Sequence, residues 1–267
     1  MSREIRRNKV ISLNAFSAIV LHMKAYAILL ASLFQIFGSN APMVFNWGQS
    51  ISERSNEANA IITPPGIAFA IWGPIFLSCV LFGIYAVKKR TKIPQIIGTV
   101  GTPSISIFCL SGIWGLWVPF HGTDFISLII ISLAAFIGLM LMHKIGNPKK
   151  YNGFENGLVI FPIALISGWL LTATTIAILS AANVHNLSWM NTESLVVIIP
   201  LLFFLVATVA FTIHKTKNYW YAIAPVWGLA NLGIGKLSQN IDTEIGIASL
   251  AGALLVSAIG LDRFLRQ

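Results

Sequence analysis

The chain has 267 residues, of which 56% are apolar and only 10% charged, with a net charge of +9. A soluble domain carries about 25% charged residues, so this chain has too little charge to cover a water-facing surface. That excludes an ordinary soluble enzyme, a disordered regulator and a disulfide scaffold, and leaves a polytopic helical membrane protein with little material for any soluble domain.

The N-terminus carries Arg3, Arg6, Arg7 and Lys9 and is followed by no small-residue cleavage site, so no cleavable signal peptide is expected. Residues 10–24 read either as an interfacial lead-in or as the start of the first helix. Eight apolar runs follow, over 25–46, 65–87, 99–120, 124–143, 158–180, 194–214, 219–236 and 244–262. Each is near the roughly 20 residues that a helix needs to cross a bilayer. The seventh is the weakest, being short and interrupted by Pro225, Gly228, Gly233 and Gly235.

Charge tests the count. With the N-terminus inside, the inner segments hold Arg3, Arg6, Arg7, Lys9, Lys88, Lys89, Arg90, Lys92, Lys144, Lys149, Lys150, Lys215, Lys217, Arg263 and Arg266, and Lys24 snorkels to the same side. The outer segments hold only Arg54 and Lys236. Basic residues collect in cytoplasmic loops, so the pattern predicts eight helices with both ends in the cytoplasm. Anionic lipid headgroups are the expected partners of those loops. A nucleic-acid partner is not expected, since no basic face is interleaved with aromatics on a soluble domain. Cys79 and Cys109 lie inside apolar runs without metal-ligand spacing and read as buried reduced thiols.

Eight Trp punctuate the chain. Trp47, Trp189 and Trp220 fall at span ends or in loops, where an indole finds both an apolar and a wet neighbour. Trp72, Trp114, Trp117, Trp169 and Trp227 fall within spans, at the centre or in the outer half. Ligand sites combine apolar walls with a few placed polar groups. Few such groups lie nearby: His121 with Asp124 at an outer turn, and Asn231 one helical turn beyond Trp227. These residues predict an outer-half chamber lined by Trp72, Trp114, Trp117, His121, Trp227 and Asn231. Pro64 and Pro65 read as a helix start. Pro74, Pro200 and Pro225 predict kinks that open space between helices. Thr172, Thr174 and Thr175 are expected to bond back to their own helix, while Gln35 and Asn40 read as interhelical glue.

The run Thr63-Pro64-Pro65-Gly66-Ile67-Ala68-Phe69-Ala70-Ile71-Trp72-Gly73-Pro74-Ile75-Phe76 resembles the second helix of the TspO/MBR family, the tryptophan-rich sensory proteins. Trp114, Trp117, Pro119 and Phe120 are similar to its third helix, and Pro162, Gly168-Trp169 and Thr172-Ala173-Thr174 to its last. Tyr221-Ala222 and Val226-Trp227-Gly228-Leu229 resemble a segment of the longer forms, which append further helices. The resemblance implies a five-helix core over 25–182, preceded by a basic N-terminus and lead-in over 1–24 and followed by additional helices over 183–267. It implies an aromatic ligand site including Pro64, Pro65 and Trp169, a porphyrin-type, sterol-like or drug-like ligand, and a homo-oligomer. Two features depart from it: no Trp precedes Pro64-Pro65, and the first helix lacks the Gly-rich face associated with dimer packing.

The functional expectation is a non-catalytic membrane protein of the cell inner membrane that binds a flat apolar ligand, tetrapyrrole-like or lipid-like, in a sensory or transport role. The alternatives are a secondary transporter and a membrane subunit whose partner supplies the chemistry. An enzyme is not expected: no metal motif, paired intramembrane acids or nucleophile arrangement stands in a convincing place.

Overall fold

In the computed structural model the chain is helical nearly from end to end. It describes residues 2–187 and 190–266, with side chains from residue 18 onward, so the interfacial assignment of Trp189 lies outside the described residues. Among them the helices are α1 (Ser2–Val44), α2 (Ile51–Glu57), α3 (Gly66–Lys89), α4 (Pro94–His121), α5 (Phe125–Ile145), α6 (Gly153–Val184), α7 (Leu195–Thr216), α8 (Ile223–Ser238) and α9 (Thr243–Leu265). No strand occurs among the described residues.

Seven of these helices are long and apolar enough to cross a membrane; α2 and α8 are not. α8 is nevertheless a full-length member of the bundle. A 3-10 turn, Tyr219–Ala222, leads into its 16 residues, and together they reach about 32 Å, close to the ~30 Å of a hydrocarbon core. At its start, Trp220 Nε1 donates to Asn156 Oδ1 (2.9 Å) and Tyr219 meets Phe264 edge-on. Near its other end, Gly235 packs on Pro65. Asn156 and Phe264 lie at the basic end of the bundle and Pro65 at the opposite end, so α8 with its leading turn runs between the two ends.

Two local expectations are corrected. The first helix begins at Ser2, not near residue 25. Apolar residues continue on the N-terminal side of Lys24, with the candidate span starting at Ala18, and nothing in residues 2–24 breaks a helix, so the backbone continues through them. Pro74 does not kink a helix from within. Residues Gly66–Ile71 form a 3-10 turn, and Pro74 is the third residue of the α-helical part that starts at Trp72. It stands where the 3-10 turn passes into the α-helix, in the first α-helical turn, where Pro is tolerated. Pro225 occupies the same third position in α8. Pro162 is the second residue of the α-helical Phe161–Val184, after a π turn over Asn156–Ile160.

α6 is the central helix. Within its apolar window 78% of residues are buried, against 44% at most for the other six spans. Small residues bring its neighbours close, as expected where lipid supplies no hydrophobic drive between helices. A Cβ on Gly168 would stand 2.9 Å from the Tyr221 carbonyl oxygen of the turn before α8, and one on Gly228 would stand 2.7 Å from the Thr172 methyl. α1 and α4 approach closest of all, where a Cβ on Gly38 would lie 2.2 Å from the Gly112 carbonyl oxygen. These small residues are therefore used inside the chain. Thr172 and Thr175 bond back to the Gly168 and Leu171 carbonyls (3.0 and 3.1 Å), and Cys79 and Cys109 are free thiols.

Candidate functional site

Three spans deliver one indole each to a common centre. Trp72 at the start of the α-helical part of α3 stacks on Trp114 of α4 (6.2 Å between centroids) and meets Trp169 of α6 edge-on (6.1 Å). Phe76 stacks beneath Trp72 and Phe69 stands edge-on to Trp169. Offset and edge-on arrangements of this kind are favourable beyond the area they bury. All three indoles are buried.

Their polar edges are unsatisfied. Nε1 of Trp72, of Trp114 and of Trp169 has no hydrogen-bond partner, and neither do the hydroxyls of Thr123 and Ser180. Trp114, Trp169, Thr123 and Ser180 line one small cavity of about 30 Å³, with Phe69, Ala173, Ile176 and Ala177 completing its spans. That is room for about one water.

The cavity's outer wall is α2, through Ile51 and Ser55. This short helix is absent from the sequence reading, although its start is written in the sequence. Ser50 and Glu53 form a reciprocal capping box. Hydrogen bonds from the Ser50 backbone N–H, and then its side chain, hold the Glu53 carboxyl below the usual carboxylate range. Arg54 pins the helix to the bundle, donating from Nε and Nη2 to the Pro119 carbonyl (3.2 and 3.1 Å) and from Nη1 to Glu57 (3.0 Å).

The other expected site residues lie around this centre. Trp117 and His121 stack at 4.0 Å at the end of α4, and Trp117 Nε1 donates to Asp124 Oδ1 (3.0 Å), which also caps α5. His121 is exposed there and does not line the cavity. Trp227 is over a third exposed, and its Nε1 donates to the Ala68 carbonyl in the 3-10 turn of α3 (2.8 Å). Asn231 donates back to the Trp227 carbonyl (2.8 Å). Pro64 and Pro65 line a separate polar cleft of about 300 Å³ at the end of the bundle opposite the basic one, with Asn56, Asn59 and Lys236. The structure thus unites Trp72, Trp114 and Trp169. It places Trp117, His121, Trp227 and Asn231 outside that centre, and the two prolines at the neighbouring cleft.

A tetrapyrrole does not fit a cavity of about 30 Å³, and His121 does not line it. Two indole N–H donors and the hydroxyls of Thr123 and Ser180, which can donate or accept, converge there without a cation. The arrangement suits an apolar molecule with acceptor atoms.

Fold and site together define a polytopic helical membrane protein with a buried aromatic centre in one half of the bundle. The family model of the TSPO-like proteins matches residues 19–261, nearly the whole chain and including the helices after residue 182, and the chain belongs to that family. No curated protein and no solved structure matches it.

Proposed function

We propose that this is a non-catalytic ligand-binding protein of the cytoplasmic membrane, whose site is the centre formed by Trp72, Trp114 and Trp169 beneath α2. The ligand is flat and mostly apolar and carries hydrogen-bond acceptors. The observation that carries this reading is the set of three buried indole N–H groups without acceptors. Each buried unmade hydrogen bond costs about 1–3 kcal/mol, and a bound acceptor removes that cost. A molecule larger than water enters when α2 leaves its seat on Pro119, and a tetrapyrrole does so only then. The basic end of the bundle faces the cytoplasm and its anionic headgroups, which puts α2 and the aromatic centre in the outer half.

The test is fluorescence quenching of the detergent-purified chain titrated with protoporphyrin and, separately, with a sterol. Saturable quenching that Trp72→Phe and Trp114→Phe weaken supports the reading. Quenching that rises linearly and ignores both substitutions reports partition into detergent and refutes it.

A second reading, secondary transport, draws on one observation. α3 and α8 start at opposite ends of the bundle, and each opens on a 3-10 turn followed by Pro at the third α-helical position. Paired broken helices of opposite direction are a transporter feature. Ligand flux into proteoliposomes, abolished by fixing α2 to α4 with a crosslink, separates transport from binding alone.

A further inference from the structure

The basic end of the bundle carries two adjoining clefts that the aromatic site does not use. One, of about 510 Å³, lies between the end of α3 and the start of α6 and is lined by Tyr85, Lys89, Lys92, Phe154 and Glu155 among others. The second, of about 520 Å³, lies on the α3–α4 loop and is lined by Lys92, Pro94, Gln95, Lys150, Tyr151 and Glu155 among others. They share Lys92, Ile93 and Glu155.

Charge in these clefts is unbalanced. The ammonium groups of Lys89, Lys92 and Lys150 make no ion pair or hydrogen bond with any described residue. Glu155 is the one carboxylate on either wall, and its Oε2 is already engaged by the Asn152 backbone N–H (3.1 Å), where it closes the cap of α6. Tyr151 is likewise committed, donating to the Ile145 carbonyl (3.1 Å). On the lip of the first cleft stands Phe154, 74% exposed, one residue before Glu155. A large aromatic beside uncompensated lysines, at the end of a membrane bundle, marks the level where headgroups give way to acyl chains.

We propose that these two clefts form a binding site for the phosphate headgroup of an anionic phospholipid, with Lys89, Lys92 and Lys150 on the phosphate and Phe154 against the first acyl carbons. The site is independent of the aromatic centre and shares with that reading only the placement of the basic end at a membrane surface.

The experiment is native mass spectrometry of the detergent-solubilised full chain with phosphatidylglycerol, and with phosphatidylcholine in a parallel arm. The variant Lys89→Gln/Lys92→Gln/Lys150→Gln is compared with Lys144→Gln/Lys215→Gln/Arg266→Gln, which removes the same charge from the same end but outside the clefts. Three basic residues at an anionic surface account for roughly a hundredfold in affinity, so the first variant retains phosphatidylglycerol about a hundredfold less well and the second retains it nearly as the parent does. Arg at the three cleft positions restores retention, which separates lost charge from lost folding. Equal loss in both Gln variants, equal retention of phosphatidylcholine, or failure of the Arg variant overturns the proposal. Displacement of the lipid by an equal concentration of inorganic phosphate also overturns it, and assigns the clefts to a soluble anion.

Discussion

The indoles at the centre and the indoles at the margins of this bundle have the same chemistry and opposite bookkeeping. Trp117, Trp220 and Trp227 each place an N–H on an acceptor: Asp124, Asn156 and the Ala68 carbonyl. Each one ties a helix end or an irregular turn to its neighbour. Trp72, Trp114 and Trp169 are more deeply buried and hold no acceptor at all. A buried polar group is normally paired, and two of these indoles, Trp114 and Trp169, line one cavity that leaves room for an acceptor from outside the chain. The marginal indoles hold the fold, and the central ones hold open a chemical demand.

The largest effect expected from breaking this contrast is Trp169→Ala. It removes the wall shared by Trp72 and Phe69 and costs about 3–5 kcal/mol, read as a lowered melting temperature in detergent and as loss of ligand binding. Next is Gly38→Ala, whose Cβ meets the Gly112 carbonyl of α4. Overpacking of that kind costs about 1–3 kcal/mol and is expected to lower melting without touching ligand affinity in the folded fraction. The contrast is sharpest in matched substitutions. Trp220→Phe and Trp72→Phe delete similar volumes, but only the first strands an acceptor. Trp220→Phe is expected to be the more destabilising by about 1 kcal/mol, while Trp72→Phe alone weakens binding.

Smaller effects concern α2. Arg54→Ala removes its hold on the Pro119 carbonyl and is expected to speed ligand entry severalfold in stopped-flow quenching, with little change in melting. The smallest is acid loosening of the same helix. The Glu53 carboxyl is held below its ordinary value in the folded chain, so its contribution is complete above the unfolded carboxylate range and is lost as pH falls through the lowered folded value. Protease access to residues 51–57 is expected to rise in that window, and Glu53→Gln to abolish the pH dependence.

Much of this was legible in the residues. Seven of the eight helices expected from apolar runs and from the alternation of Lys and Arg are long and apolar enough to span, and the eighth, α8, packs toward both ends of the bundle. Trp72, Trp114 and Trp169 were picked out by their depth within spans. The grouping failed where depth alone had to stand in for direction. Trp227 shares the depth of Trp169, but it is Gly228 that faces Thr172 and Trp169, and one residue along a helix turns a side chain about 100° away. Trp117 is three residues past Trp114, enough to turn it toward Asp124. α2 was missed because seven residues make no periodic pattern, although Ser50 and Glu53 spell its cap. Nothing in the sequence showed that three indole N–H groups lack acceptors, because that depends on what every neighbouring helix does not supply.

The most direct test of the central claim is an NMR titration that follows the indole N–H resonances of tryptophan-labelled protein in detergent, with protoporphyrin and a sterol as ligands. The account predicts that the resonances of Trp72, Trp114 and Trp169 move downfield and saturate together, while those of Trp117, Trp220 and Trp227 hold still. Saturable binding that moves the marginal indoles and leaves the central three unshifted would contradict it.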